Sequence, residues 1–178
     1  MNYDRLKKNL MDVVHEQQLK IGYRKEKIRV FYPLSSLCHL LEADLTMEEM
    51  KTELERFSLW AASDFGQTGI RVLKDGRIGL VLSEQAAEYI HQERPEEGFL
   101  ADLIRLISKH DIRMDEVKEL FHRYSDHVVQ KEMDGAEFDL LLYFENGLPD
   151  PYYYCFTQEG HHITFHRFIQ EDYEDYHF

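Results

Sequence analysis

Three side chains near the C-terminus are of types that bind soft metals or carry out nucleophilic chemistry. Cys155, His162 and His166 flank Glu159-Gly160, a turn dipeptide between two β-prone runs. Taking Glu159-Gly160 as a two-residue hairpin loop pairs Gln158 with His161, Thr157 with His162, Cys155 with Thr164 and Tyr153 with His166. In that register Cys155, His162 and His166 share one face of the sheet, with diagonal partners about 7 to 8 Å apart at Cα. A thiolate with imidazoles suits zinc, and a cysteine beside a histidine suits a nucleophile with its base. A zinc site needs further ligands, and Asp150 is nearby in sequence. Against this stands a plain alternative, a buried thiol flanked by partly exposed histidines, and a one-residue slip would reorganise the set.

Other groupings are weaker. His122 and Asp126 are four apart on an expected helix, a spacing that serves two metal ligands or one ordinary helix contact. Asp64-Phe65-Gly66 repeats a kinase tripeptide, but the Gly-rich loop, strand lysine and catalytic-loop aspartate of a kinase are missing, so it is a chance match. No Gly-x-Ser-x-Gly, phosphate-binding loop or dinucleotide fingerprint occurs. Two sets could form binding surfaces: Tyr152 and Tyr153 in a tyrosine-rich run, and Arg71, Lys74 and Arg77 around an expected hairpin tip.

The elements that must position these residues follow from period and punctuation. Leu6, Leu10, Val13, Val14 and Leu19 predict a helix from Tyr3 to Lys20, ended by Gly22. Ile28 to Tyr32 is a short strand closed by Pro33. Ser35 and Ser36 are candidate caps for a helix through Leu41, and Thr46-x-x-Glu49 is a capping box opening a helix to about Ser63. Asp75-Gly76 between Ile70–Leu73 and Ile78–Leu82 signals a hairpin. Ser83 caps a helix to Gln92, and Arg94-Pro95 interrupts before helices at Phe99–Lys109 and Asp115–Lys131. Gly135 marks a change of period, after which Phe138 to Phe144, Tyr152 to Phe156 and Ile163 to Ile169 read as three strands, with Tyr154, Phe156, Ile163 and Phe165 toward the core. Glu171 to Tyr176 is expected to be a solvated tail.

Charge is unevenly spread. Residues 1–33 hold eight Lys/Arg against four Asp/Glu, residues 34–83 five against eight, and residues 84–178 eight against 22, within a net charge of -13. Such a field repels phosphate backbones and confines any nucleic-acid role to the N-terminal part. With 43% hydrophobic and 31% charged residues the chain is built to fold. Two distant cysteines, no membrane-length apolar run and no leader pattern predict a reducing, cytoplasmic setting.

Helix, strand, helix, helix, hairpin from Tyr3 to Leu82 resembles a winged-helix domain, with Lys74-Asp75-Gly76-Arg77 at the wing tip and the match over residues 28–83. The resemblance implies that the Thr46–Ser63 helix would enter a DNA groove, yet Glu48, Glu49, Glu53 and Glu55 there outnumber Lys51 and Arg56 and would oppose phosphates. The wing basics, with Lys20, Arg24, Lys25, Lys27 and Arg29, remain able to touch a backbone. The runs Gly22 to Lys25, Phe31 to Leu37 and Pro149 to Phe156 are also similar to a bacterial protein family of unknown function. The expectation is therefore an α+β chain: a winged-helix-like module with a hairpin at 1–94, then two helices and a three-stranded antiparallel sheet at 95–178, packed with the first as one unit. The leading functional reading is a non-catalytic protein-interaction or regulatory module with a protein partner. A small metal- or thiol-dependent enzyme, with zinc at the Cys155 hairpin, and a weak DNA-binding regulator are the alternatives.

Overall fold

The computed structural model describes residues 1–134 and 137–176; Gly135, where the period of the sequence changes, lies outside the described residues. The chain divides into two compact units, Met1–Pro95 and Glu96–Phe178.

In the first unit α1 (Tyr3–Ile21) is capped by the Asn2 side chain, which accepts from the Arg5 N–H at 3.0 Å. It buries Leu6, Leu10 and Val14 and ends at Gly22, whose φ of 85° suits the residue without a Cβ. β1 (Ile28–Tyr32) leads through Pro33 into α2 (Leu34–Leu41). The helix starts directly after the proline, so Ser35 and Ser36 lie inside its first turn and do not cap it: the pyrrolidine already fixes φ at -62° at the cap position. α3 (Met47–Trp60) carries the capping box, with the Thr46 N–H donating to the Glu49 carboxylate at 2.8 Å and the Glu49 N–H donating to the Thr46 hydroxyl. It stops at Trp60, and a separate turn, α4 (Ala62–Phe65), swings Phe65 fully into the core in place of the continuous helix expected to Ser63. β2 (Gly69–Val72) and β3 (Ile78–Leu82) form the hairpin, and α5 (Glu84–Glu93) follows, capped by Ser83.

The three strands lie in the order β1-β3-β2, all antiparallel. Alternation along β1 sends Ile28, Val30 and Tyr32 to the core with Ile78, Leu80 and Leu82 of β3, and leaves Arg29 and Phe31 outside. Polar anchors lock the helices. The Tyr3 hydroxyl donates to Glu53 at 2.7 Å, and the Tyr32 hydroxyl donates to Asn9 at 2.7 Å. Lys7 pairs with Asp64 beneath the rings of Trp60, Phe65 and Tyr89, 5.9, 5.6 and 5.1 Å from their centroids. Asp64 and Phe65 thus take part in the packing of the first unit.

The second unit holds α6 (Phe99–Ile107), α7 (Met114–Tyr124), β4 (Val128–Glu132), β5 (Leu140–Phe144), β6 (Tyr153–Glu159), β7 (His162–Phe168) and α8 (Gln170–Asp175). Its sheet has four strands, β4-β5-β6-β7, where three were expected. The extra strand comes from the segment read as the end of the Asp115–Lys131 helix: α7 closes at Ser125, and the β-branched pair Val128-Val129 then pairs with Phe144 and Tyr143. The expected solvated tail is likewise a short helix, α8, whose Tyr173 packs partly over Cys155 and Phe168. On the opposite face Phe99, Leu103, Val117 and Phe121 cover Leu140, Leu142, Tyr154 and Phe156. Within that unit Asp150 is buried, accepting from the Tyr152 N–H at 2.9 Å and the Tyr154 hydroxyl at 2.8 Å, with the Arg167 guanidinium 3.6 Å away.

Two expectations follow for stability. Asp150→Ala removes the buried carboxylate beside a guanidinium that is 7% exposed and should cost about 3–5 kcal/mol, whereas Tyr154→Phe should cost about 1–3 kcal/mol, both read from urea denaturation midpoints. The hydrogen bond from Tyr3, together with the Arg56 charge, holds the Glu53 carboxyl below its ordinary range. A lowered folded pKa stabilises above the unfolded value of about 4.3 and is lost as pH falls through the folded one, so Glu53→Gln should be more destabilising at pH 6 than at pH 3. Equal destabilisation at both pH values would contradict that origin.

Candidate binding surface

The outer face of the first unit's sheet combines an exposed ring with exposed guanidinium groups. Register sets two rows across it: Phe31, Gly79 and Arg71 in one, Arg29, Val81 and Gly69 in the next. Phe31 lies across Gly79, where a Cβ would stand 3.1 Å from the ring, so the absence of a side chain lets the ring settle against β3. It remains 45% exposed. The Arg77 guanidinium sits 5.4 Å from the Phe31 centroid, a cation–π contact, while its Nε donates to Asp75 at 2.8 Å. The Arg77 backbone N–H donates to Asp75 as well and, first among the causes, keeps that carboxyl below its usual range. Gly76, at φ 85°, closes the tip beside Lys74. Among the described residues Arg29, Arg71 and Lys74 form no ion pair.

α3 offers a different surface. Glu48, Thr52, Glu55 and Arg56 are exposed along it, ending in Leu59 at 80% and Trp60 at 45% exposure. Its acidic and apolar character opposes a phosphate backbone.

The C-terminal constellation is arranged otherwise than expected. The loop of the β6–β7 hairpin is Gly160-His161, and the pairs are Cys155 with His166, Thr157 with Thr164 and Glu159 with His162. Gly160 has φ 62° while His161 stays out of that region, the pattern of a II′ turn with glycine at its first central position. The expected loop would have asked Glu159 to take a positive φ. A shift of two residues preserves which side chains share a face, so Cys155, His162 and His166 still do, but His162 stands four residues along β7 from His166, about 13 Å. His162 neighbours His110, with ring centroids 6.0 Å apart, and His166 contacts Phe138 and Phe168. Cys155 is fully buried, and burial pushes its thiol up to about 12. Among the described residues no three of His, Cys, Asp and Glu are grouped to hold a metal ion. Asp126 falls beyond the end of α7, so it and His122 do not keep helical spacing.

Of the tyrosines proposed as a surface, Tyr152 is 7% exposed beneath Arg167, whose guanidinium lies 4.5 Å from its ring. Tyr153 is half-buried and stacks on Tyr143 at 4.0 Å; burial, then Tyr143, raises its hydroxyl to about 12. Arg71, Lys74 and Arg77 are exposed as expected. Phe31 was missed as a site residue, although its place two after Arg29 in a β-prone run was the available signal. The Asp150–Tyr154–Arg167 cluster had none, since Arg167 is far from Asp150 in sequence.

These features define a mixed α+β protein with two antiparallel sheets and, among the described residues, no helix long and apolar enough to cross a membrane. The chain belongs to the family described as "Domain of unknown function, E. rectale Gene description (DUF3877)", whose model matches residues 3–177. No curated protein and no solved structure matches the chain.

A neutral, buried thiol should not react: native protein at pH 8 with iodoacetamide is expected to leave Cys155 unmodified until denaturant is added, by peptide mass mapping. Rapid native alkylation of Cys155 would restore it as a nucleophile.

Proposed function

We propose that this chain is a non-catalytic interaction module that binds an acidic surface of a protein partner through the outer face of its first sheet, on a winged-helix scaffold. The observation that carries the reading is the row Phe31–Gly79–Arg71 with Arg29 and Arg77 beside it: an apolar ring held flat among guanidinium groups that suit bidentate pairing with carboxylates. The scaffold reading is supported by the order of elements and by the strand order β1-β3-β2, with Lys74 to Arg77 at the hairpin tip. Protein is favoured over DNA because α3, the helix such a scaffold would offer to a groove, exposes Glu48, Glu55, Leu59 and Trp60. The enzyme reading is less supported, because Cys155 is buried and unionised and the two histidines are apart. A bacterial cytoplasmic setting is consistent with the two free cysteines.

The test is a triple variant, Arg29→Glu, Arg71→Glu, Arg77→Glu, with its fold checked by circular dichroism, beside Cys155→Ala and His162→Ala. Partners retained by the wild type from host extract would be purified and titrated individually. At least a tenfold loss of affinity in the triple variant, with none in the other two, is expected. Unchanged affinity in the triple variant would overturn the reading, as would salt-sensitive duplex DNA binding abolished by it.

A further inference from the structure

The first sheet has an edge suited to receive a strand. β3 occupies one side of β2, and among the described residues no strand occupies the other. Gly69, Arg71 and Val72 are exposed and Ile70 is half-buried, with α3 packed beside the strand and holding its start. The start of β2 is anchored, because the Ser58 hydroxyl accepts from the Thr68 N–H at 3.1 Å and donates to the Thr68 carbonyl at 3.3 Å. Its far end is anchored too, by the Leu73 N–H donating to the Arg77 carbonyl at 2.8 Å. The edge is therefore held extended, with the N–H and C=O groups of Ile70 and Val72 on its free side, so binding need not order the strand itself.

Resting on the docking reading above, we infer that β2 binds an extended acidic segment of the partner as a fourth strand, β1-β3-β2-partner. Main-chain hydrogen bonds would supply the register-independent part of the binding, and alternating side chains the selectivity. On the outer face Arg71 meets the incoming strand, with cross-strand Cβ atoms about 4.5–5.5 Å apart, within reach of a carboxylate. On the other face Ile70 and Val72, the latter 41% exposed, offer apolar contact. The segment recognised thus alternates acidic and apolar residues. Arg71 also argues against a second copy as the occupant: β2 paired antiparallel with β2 of another chain would place two Arg71 side chains on one face of neighbouring strands, where like charges repel.

Fluorescence anisotropy with the full chain tests this. The probes are a labelled, capped octapeptide alternating glutamate and valine, a lysine-valine counterpart, the glutamate-valine peptide N-methylated at alternate residues along one edge, and a labelled dT oligonucleotide. The expected result is binding of the glutamate-valine peptide, weakened at least tenfold by N-methylation and by Arg71→Glu, partly kept in Arg71→Lys, and absent for the lysine peptide. N-methylated peptide bound as well as its parent, with Arg71→Glu still weakening both, would overturn strand addition while leaving the docking face intact. Binding indifferent to Arg71 would overturn the assignment of β2. Tighter binding of the oligonucleotide would replace it with a single-strand nucleic-acid site. Concentration-dependent self-association lost in Arg71→Glu would replace it with a contact between copies.

Discussion

The close approach of Phe31 to Gly79 governs the outer face of the first sheet. With no Cβ on β3 at that point, the ring lies down against the strand and stays 45% exposed, and Arg77 can reach over it. A methyl group 3.1 Å from the ring would push Phe31 up from the strand and away from Arg77. The docking surface proposed for this face depends on that contact, because it holds the exposed ring and the Arg77 guanidinium above it in one fixed arrangement.

In the second unit Asp150, Cys155 and the Arg167 side chain are buried, while His162 and His166 are exposed. Asp150 and Arg167 neutralise one another beside Tyr152 and Tyr154, and the Tyr154 hydroxyl is held far above its ordinary pKa, first by burial. Cys155 faces the other side of the same strand, under Tyr173 of α8, with Phe168 and Leu141 as neighbours. Burial disfavours the thiolate form of Cys155 in the metal-free chain. On the first sheet's outer face Arg29 and Arg71 stand exposed, whereas in the second unit the Asp150 and Arg167 side chains are buried together.

Local rules were legible in the sequence and distant ones were not. Thr46 with Glu49, Ser83, Gly22 and the Asp75-Gly76 hairpin each act within a few residues, and each does in the structure what its type and spacing predict. Face membership in β6 and β7 was also readable, because a shift of two residues leaves alternation intact. The loop that sets the register depended on which residue takes the positive φ, a choice between Glu159 and Gly160 that periodicity does not make. β4 was hidden because Val128-Val129 follows a helical run without a glycine or proline to mark the break, and it becomes a strand only by pairing with β5. Of the candidate surface, the charges of Arg71, Lys74 and Arg77 were visible, while the partnership of Phe31 with Gly79 joins residues nearly fifty apart and needed the fold.

The most direct measurement of the central claim is amide chemical-shift mapping of the isotopically labelled full chain titrated with the glutamate-valine peptide. Saturable shifts concentrated in Ile28–Tyr32, Gly69–Val72 and Arg77–Val81 are the result this account predicts. Shifts centred on β6 and β7 of the second unit, or none at peptide concentrations that saturate anisotropy, would contradict it.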